Sequence, residues 1–360
     1  MIGTIILFLV VLSVLVIAHE WGHYFAAKKS GMDVEEFGIG FPPRIFGMKD
    51  KSGTTWSINL IPLGGFVRIK GENGEERSDP KAFSSKGFWK RLIVLSAGVI
   101  MNLIVAWILF TAGFLFGLPA VVEGMGDPQA IISDRAVQVV EVVAESPAEK
   151  AGLEAGDVVK SIDGETFTTG EAARTGLVPN EDGSPLTIVV ERSGQEKTIM
   201  VQPQFLEELG RAGVGVALTE TGSVRYPVYL APIMGAETVL SMVSQIVQAF
   251  WGLITGLFKS ENVVSQLSGP VGIAVLTGQV AKLGFAHLIQ FAAMLSVNLA
   301  VLNAMPFPAL DGGRIFFLFI ETLRRKPNSQ KFEQAVHGAG FALLMLLVIF
   351  VTYRDIVKLF

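Results

Sequence analysis

The residues best suited to chemistry form the pattern His19-Glu20-Trp21-Gly22-His23, which follows an apolar run from Ile2 to Ala18. On a helix, side chains four residues apart project from one face, so His19 and His23 would present two imidazoles together. Such a pair can bind a zinc ion, and Glu20 beside it could take a proton from a metal-activated water. Only four His occur in the 360 residues. Two His leave a zinc site incomplete, so a third ligand must come from elsewhere.

Asp311 is the natural third ligand. It lies in Pro306-Phe307-Pro308-Ala309-Leu310-Asp311-Gly312-Gly313, where two prolines and two glycines predict a break in an apolar helix. Alone, an Asp-Gly pair would indicate an ordinary turn. Beside the first motif it indicates a ligand, because a metal would neutralise a carboxylate that is costly at membrane depth. Three protein ligands and one open position are typical of catalytic zinc, with one Zn²⁺ per chain.

The composition predicts a membrane protein without thiol chemistry. Half of the chain is hydrophobic and only 17% is charged, which is too apolar for an ordinary soluble protein. The absence of Cys excludes disulfides and thiolate ligands. The net charge of −4 gives no sign of nucleic-acid binding.

Alternating apolar and charged segments predict a polytopic α-helical membrane protein with four transmembrane helices, a membrane-associated β-hairpin and an inserted β-rich domain. The pattern Ser146-Pro147-Ala148 to Asp163-Gly164 in this domain resembles a PDZ domain. Residues 24–91 hold 12 Lys/Arg against 8 Asp/Glu, and residues 119–235 hold 8 against 18, so we expect the first loop to be cytoplasmic and the second extracytoplasmic. The expected segments are a first span 1–25, a cytoplasmic loop 26–91, a second span 92–118, the PDZ-like domain 124–205, an extracytoplasmic linker 206–284, a third span 285–323 and a fourth span 335–356.

Two of these segments carry finer expectations. In the loop, the runs Thr54–Pro62 and Gly65–Lys70 read as strands joined through Leu63-Gly64-Gly65, forming either a peptide-binding hairpin edge or an ordinary surface hairpin. In the linker, the polar residues of 234–258 recur every three or four positions, which favours an amphipathic helix on the outer membrane surface over a true span. A span there would put Asp311 on the wrong side of the membrane.

Three further polar residues lie in or near the predicted spans, and none of them needs a chemical role. Asn102 in the second span would bond a neighbouring helix or help to order the site. His287 and His337, each near the start of a span, are most simply interfacial.

The segment from Ser146 to Gly164 resembles a PDZ domain, with Ser146 as helix cap, Pro147 at the first helical position and strands at 137–143 and 158–162. Such a unit would bind peptides or act as a steric cap.

The whole chain resembles the site-2 protease family of intramembrane zinc metalloproteases. The resemblance rests on the first motif, on Asn303-x-x-Pro306-x-Pro308-x-Leu310-Asp311-Gly312-Gly313, on the PDZ-like unit and on Ser268-Gly269-Pro270-Val271-Gly272-Ile273. It is similar to bacterial four-span members that cut membrane-bound anti-sigma factors, although the best-known enterobacterial relative has two PDZ units.

The resemblance implies hydrolysis of peptide bonds within transmembrane segments of single-span proteins, anti-sigma factors or remnant signal peptides. It implies a multi-pass protein of the bacterial inner membrane whose substrate is first trimmed outside. The active site would face the cytoplasm, with Glu20 catalytic, His19, His23 and Asp311 on zinc, and Asn303, Pro306, Pro308, Gly64 and Gly65 on the substrate. The rivals are a catalytically silent PDZ-containing scaffold, disfavoured by the intact ligands, and a metal transporter, disfavoured because no chain of polar sites crosses the bilayer.

Overall fold

The computed structural model describes residues 2–167, 169–178, 184–192, 194–206, 211–257, 269–326 and 328–357. These residues form two compact units, Met1–Thr111 with Pro232–Phe360, and Ala112–Ala231. The helices are α1 Ile2–Lys29, α2 Phe88–Phe116, α3 Pro147–Ala151, α4 Gly170–Gly176, α5 Ala231–Leu257, α6 Pro270–Leu283, α7 Phe285–Ala304, α8 Asp311–Arg324 and α9 Gln330–Val357. The strands are β1 Val34–Lys49, β2 Thr55–Ile69, β3 Leu118–Val121, β4 Ile131–Val142, β5 Val158–Ile162, β6 Leu186–Arg192, β7 Gln195–Val201, β8 Gln204–Leu206, β9 Arg211–Gly213 and β10 Val216–Arg225.

Five described helices are long and apolar enough to cross a membrane: α1, α2, α5, α7 and α9. This agrees with a multi-pass membrane protein, and α5 is by length and composition a fifth candidate beside the helices of the four predicted spans. The predicted third span, 285–323, consists of two helices, α7 and α8, separated by residues 305–310.

The helix break is shorter than the sequence predicted. Asp311, Gly312 and Gly313 form the first turn of α8 instead of belonging to the loop. A Cβ at Gly312 would overlap the carbonyl oxygens of Ala304 and Met305, and one at Gly313 would overlap that of Phe307. The glycines therefore let α8 begin directly against the end of α7, which brings Asp311 back toward the helix bundle.

The predicted hairpin between Thr54–Pro62 and Gly65–Lys70 is wrong in its pairing. Residues 55–62 and 65–69 of the two runs belong to one bent strand, β2, whose partner is β1. Residues 34–39 pair with 65–69, and on their other side residues 36–39 pair with 55–58. Residues 44–49 pair with 55–59. Gly40 and Gly64, with φ of 78° and 68°, provide the bends. Sequence patterns identify strands but not the partner that each strand finds.

A buried carboxylate links the four segments of this sheet. Glu36 is only 5% exposed. Its Oε1 accepts hydrogen bonds from Ser57 Oγ at 2.7 Å and Arg44 Nη2 at 2.6 Å. Its Oε2 lies 3.5 Å from Arg68 Nη1. Because a buried charge must be paired, Glu36 draws both halves of β1 and both halves of β2 together.

The β-rich unit is larger than the predicted 124–205. Its six-stranded sheet has the order β3-β10-β4-β5-β6-β7, so β10, which falls in the predicted linker 206–284, is an interior strand. The local predictions are confirmed: Ser146 caps α3 by accepting the N–H of Glu149, and Pro147 occupies the first turn. Tyr226 N–H donates to the carbonyl of Phe114 at 2.9 Å, so the chain enters and leaves this unit at adjacent points.

Helix α6 lies beside the ends of two other helices. A Cβ at Gly278 would overlap Thr4, near the N-terminus of α1. At the start of α6, Gly272 N–H donates to Asp355 Oδ2 at 2.7 Å, near the C-terminus of α9. Asp355 thus caps a distant helix N-terminus, where a negative charge is favourable. Ser268, the first residue of the motif that continues into α6, lies outside the described residues.

Candidate metal centre

Helix α1 places His19 and His23 one turn apart, each only 7% exposed. Their Nε2 atoms are 3.2 Å apart, and the rings are nearly perpendicular, at 76°. Asp311, in the first turn of α8, brings its Oδ2 to 3.0 Å from His19 Nε2 and 3.2 Å from His23 Nε2. These are the three predicted ligands, and the fold brings them together across 288 residues of sequence.

The three donor atoms fit a bound Zn²⁺. Ligand atoms at about 2.0–2.1 Å from a tetrahedral zinc lie roughly 3.3 Å from one another. The observed separations of 3.0–3.2 Å are close to that value. His23 Nδ1–H donates to the carbonyl of Val94 at 2.8 Å, which leaves a lone pair on Nε2 of the neutral ring. The lone pairs on the imidazole nitrogens and those on the Asp311 oxygen repel one another unless a cation lies between them.

Asn102 orients the other imidazole. It is 1% exposed in α2, and its side-chain Nδ2 lies 3.3 Å from His19 Nδ1. Turning the amide over by 180° would place Oδ1 at this contact, where it would accept the Nδ1–H and leave Nε2 free for a metal. Ser296 Oγ donates to the Asn102 backbone carbonyl at 2.7 Å, so α7 supports this position. Of the two roles considered for Asn102, the contact favours ordering of the site.

We expect Asn102→Leu to lower zinc affinity by about 10- to 100-fold, because His19 would lose the acceptor that selects its tautomer. The measurement is zinc retention by the purified protein against a graded chelator. Asn298→Leu on α7 is the matched control, since the Asn298 amide bonds to the Met294 carbonyl of its own helix. Equal retention by Asn102→Leu and wild type would contradict this role.

Gly98 of α2 lies directly against the two imidazole rings. A Cβ at this position would lie 2.6 Å from His19 Nε2 and even closer to His23 Nε2. The contact between Gly22 of α1 and Ala97 of α2 is equally close, because a Cβ at Gly22 would lie 2.8 Å from the carbonyl carbon of Ala97. Helices α1 and α2 therefore approach through glycines on both sides. Gly98 was not predicted from the sequence, where a glycine within a charge-free span was the only available signal.

Glu20 shares a cavity of about 270 Å³ with two of the ligands. The cavity is also lined by Asn303 at the end of α7 and by Gly65 of β2, two of the residues predicted to contact substrate. A base, two metal ligands, a side-chain amide and a glycine of a strand thus line one space. The arrangement can hold a peptide bond beside a metal and a proton acceptor.

The strand β2 reaches α1 through the two predicted glycines. A Cβ at Gly64 would lie 2.9 Å from Val16 Cγ1, and one at Gly65 would lie 2.8 Å from the Gly38 carbonyl and 3.9 Å from Glu20 Cγ. Trp21, exposed from α1, packs on Phe37 and Trp56 of the sheet at centroid distances of 5.8 Å. The sheet is thereby attached to the helix that carries the base and two ligands.

Pro306 and Pro308 do not line this cavity. Pro306 is exposed in the loop after α7. Pro308 packs against Gly340 of α9, where a Cβ would lie 2.7 Å from the Pro308 carbonyl oxygen. In the described structure these prolines shape the loop before Asp311.

Comparison with known proteins identifies the family. The profile of peptidase family M50 matches residues 7–347. The chain belongs to peptidase family M50. A relative from Clostridium perfringens is 38% identical over 354 residues, covering 98% of each chain. The regulator of sigma-W protease RasP of Bacillus subtilis is 31% identical and is covered over 99% of its length. The zinc metalloprotease RasP of Oceanobacillus iheyensis is also 31% identical.

This M50 peptidase is therefore a zinc-dependent intramembrane endopeptidase with Zn²⁺ as its cofactor. Among solved structures, the PDZ domain of an SdrC-like protein from Listeria monocytogenes matches 23% of the chain and 86% of that domain, at 23% identity and a TM-score of 0.21.

Proposed function

We propose that His19, His23 and Asp311 hold the zinc and that Glu20 is the general base of peptide-bond hydrolysis. The observation that carries this assignment is the convergence of the three donor atoms at 3.0–3.2 Å beside a cavity that Glu20 lines. When bound, Zn²⁺ polarises the scissile carbonyl and acidifies the attacking water. Glu20 takes the proton of that water and delivers it to the leaving amine.

The substrate enters this site as a strand and not as a helix. In a helix each carbonyl is engaged by an N–H four residues on, so a scissile bond must be unwound before attack. Gly65 of β2 and the Asn303 amide line the cavity that holds Glu20, and an extended peptide could pair beside Gly65 while Asn303 bonds its backbone.

We infer a four-span topology in which α5 lies on the outer membrane surface. Helices α1 and α7 both run toward the metal ligands, so an odd number of crossings must separate them. Helix α2 is one. Helix α6 has 14 residues, about 21 Å, which is shorter than the roughly 30 Å of a bilayer core. Among the described residues between α2 and α7, α5 therefore has no partner that would make three crossings. The active site then faces the cytoplasm and the β-rich unit is extracytoplasmic, which the Lys/Arg distribution also favours.

The absence of Cys makes this topology directly testable. Single cysteines replacing Val228, just before α5, and Lys282, in the last turn of α6, should both react with an impermeant maleimide from the extracytoplasmic side. A cysteine replacing Ser52, between β1 and β2, should react only after the membrane is opened. Labelling of positions 228 and 282 from opposite sides would contradict the four-span arrangement.

The proposed substrates are single-span proteins of the bacterial inner membrane that have already been trimmed on their extracytoplasmic side. The Bacillus subtilis relative is named a regulator of sigma-W protease, which supports anti-sigma factors as one class, with remnant signal peptides as another. In lipid vesicles, the purified protein should cut such a substrate within its transmembrane segment. A zinc chelator should stop cleavage and added Zn²⁺ should restore it; chelator-resistant cleavage would contradict the proposal.

The β-rich unit would act as the filter that makes trimming necessary. Because Phe114 and Tyr226 are hydrogen-bonded at the entry and exit of this unit, residues 117–225 can be replaced by a short Gly-Ser linker. We expect this variant to cleave substrates with long ectodomains that the wild type leaves intact, while a pre-trimmed substrate is cleaved at an unchanged rate. An unaltered preference for short ectodomains would argue against a filter.

A further inference from the structure

The loop between α7 and α8 holds a conformation that its own residues do not favour. Ala309 has a φ of 79°, in the left-handed region that non-glycine residues rarely adopt. Within the loop, the backbone bonds run from Phe307 N–H to the Met305 carbonyl at 2.7 Å and from Leu310 N–H to the Phe307 carbonyl at 3.2 Å. Neither engages the N–H of Ala309. A conformation of this kind persists only when surrounding groups hold it.

The group that holds Ala309 is His337 of α9. The Ala309 N–H donates to His337 Nδ1 at 2.8 Å. One helical turn further along α9, Gly340 makes room for Pro308, since a Cβ there would lie 2.7 Å from the Pro308 carbonyl oxygen. The His337 ring also packs on Phe317 of α8, with centroids 5.4 Å apart. One face of α9 therefore contacts both the loop and the helix that follows it.

The position of this loop bears on the metal site. Ala309 lines the cavity that contains His19, Glu20 and Asp311. It also lines a second cavity of about 360 Å³, to which His337 contributes. Asp311 follows Ala309 by two residues, and only Leu310 lies between them. A change at Ala309 would therefore move the Asp311 carboxylate relative to the two imidazoles.

We propose that His337 is a positioning residue for Asp311, acting as a hydrogen-bond acceptor that fixes the Ala309 backbone. To accept at Nδ1, the neutral ring carries its proton on Nε2. The inference deepens the proposed function, because it rests on Asp311 being a zinc ligand. It replaces the interfacial role that the sequence suggested for His337.

The test compares two substitutions of His337 whose side-chain amides lie at different distances from the backbone. In His337→Asn, Oδ1 takes about the place of the imidazole Nδ1 and can still accept the Ala309 N–H. In His337→Gln, the amide lies one methylene further out and that acceptor is lost. His287→Gln is the matched control, since His287 lies in the first turn of α7 and lines neither cavity. Each full-length variant is purified, and its zinc affinity is measured by competition with a chelator, alongside the cleavage rate.

We expect His337→Gln to lower zinc affinity by about 10- to 100-fold, as is usual for residues that support a metal ligand, and cleavage to fall with it. His337→Asn should stay within about threefold of wild type, and His287→Gln should be unchanged. Wild-type zinc affinity in His337→Gln, or equal losses in the Asn and Gln variants, would overturn the proposal. Asp311→Ala separates this outcome from failure of the proposed function. If Asp311→Ala retains zinc like wild type, the ligand assignment itself is wrong.

Discussion

Glu20→Gln is expected to slow peptide-bond cleavage by about 10³-fold or more while zinc stays bound. Glutamine keeps the length and polarity of the side chain beside His19 and Asp311 in the active-site cavity, so the metal ligands keep their surroundings. It cannot accept a proton from water or return one to the amine. The loss therefore falls on the chemical step and not on assembly of the site.

Three quantities test this expectation on one preparation: zinc per chain, substrate binding and the single-turnover cleavage rate in vesicles. Glu237→Gln, an exposed position on α5, is the matched control and should cleave at the wild-type rate. A Glu20→Gln protein that cleaves within tenfold of wild type would remove Glu20 from the mechanism. One that loses its zinc would show that the carboxylate supports the ligands instead.

Gly98→Ala should abolish zinc binding and, with it, cleavage. The added methyl group would lie 2.6 Å from His19 Nε2 and closer still to His23 Nε2, which are the atoms that face the metal. The Nδ1 atoms of the two rings are held by hydrogen bonds, His19 by Asn102 and His23 by the Val94 carbonyl. Neither ring can move away from the added methyl group without losing this hydrogen bond. We expect zinc affinity to fall by at least 100-fold, the upper end of the effect of disturbing a ligand's support.

The direction of this result is informative, because alanine favours a helix over glycine by about 1 kcal/mol. Intrinsic helix propensity thus predicts a more stable α2, while the geometry of the metal site predicts a protein that neither binds zinc nor cleaves substrate. Gly3→Ala on α1, where nothing lies within 4 Å of the added Cβ, is the control and should bind zinc normally. Normal zinc content in Gly98→Ala would mean that α2 stands further from the ligands than described here.

These two expectations reflect how the site is divided among elements. In the proposed site, helix α1 supplies the base and two ligands, and α8 supplies the third ligand. Helix α2 supplies no ligand, yet it holds one imidazole through Asn102, holds the other through Val94 and limits the space between them through Gly98. Helix α9 bonds to the loop that precedes Asp311. We therefore expect residues that do not line the substrate cavity to determine whether the metal can be held.

Much of this protein could be predicted from sequence, because the relevant signals are local. The His19-Glu20-x-x-His23 spacing defines one helix face, and the preceding apolar run places it in a membrane. In the β-rich unit, Ser146 and Pro147 predict the start of α3 from neighbouring residues alone, as observed. Asp311 could be nominated as a ligand because a carboxylate in a helix break between apolar segments is costly without a partner.

What only the tertiary structure decided depends on contacts between residues distant in sequence. The pairing of β1 with β2 was missed because alternation identifies a strand but not its neighbour. Gly98 was not predicted and His337 was interpreted as interfacial, because their contacts are with distant segments: the imidazoles of α1 for Gly98, and the Ala309 backbone for His337. A glycine in an apolar helix and a histidine near its end carry no local mark of such roles. The physical reason is that sequence spacing reports which side chains share a face, whereas packing decides what that face meets.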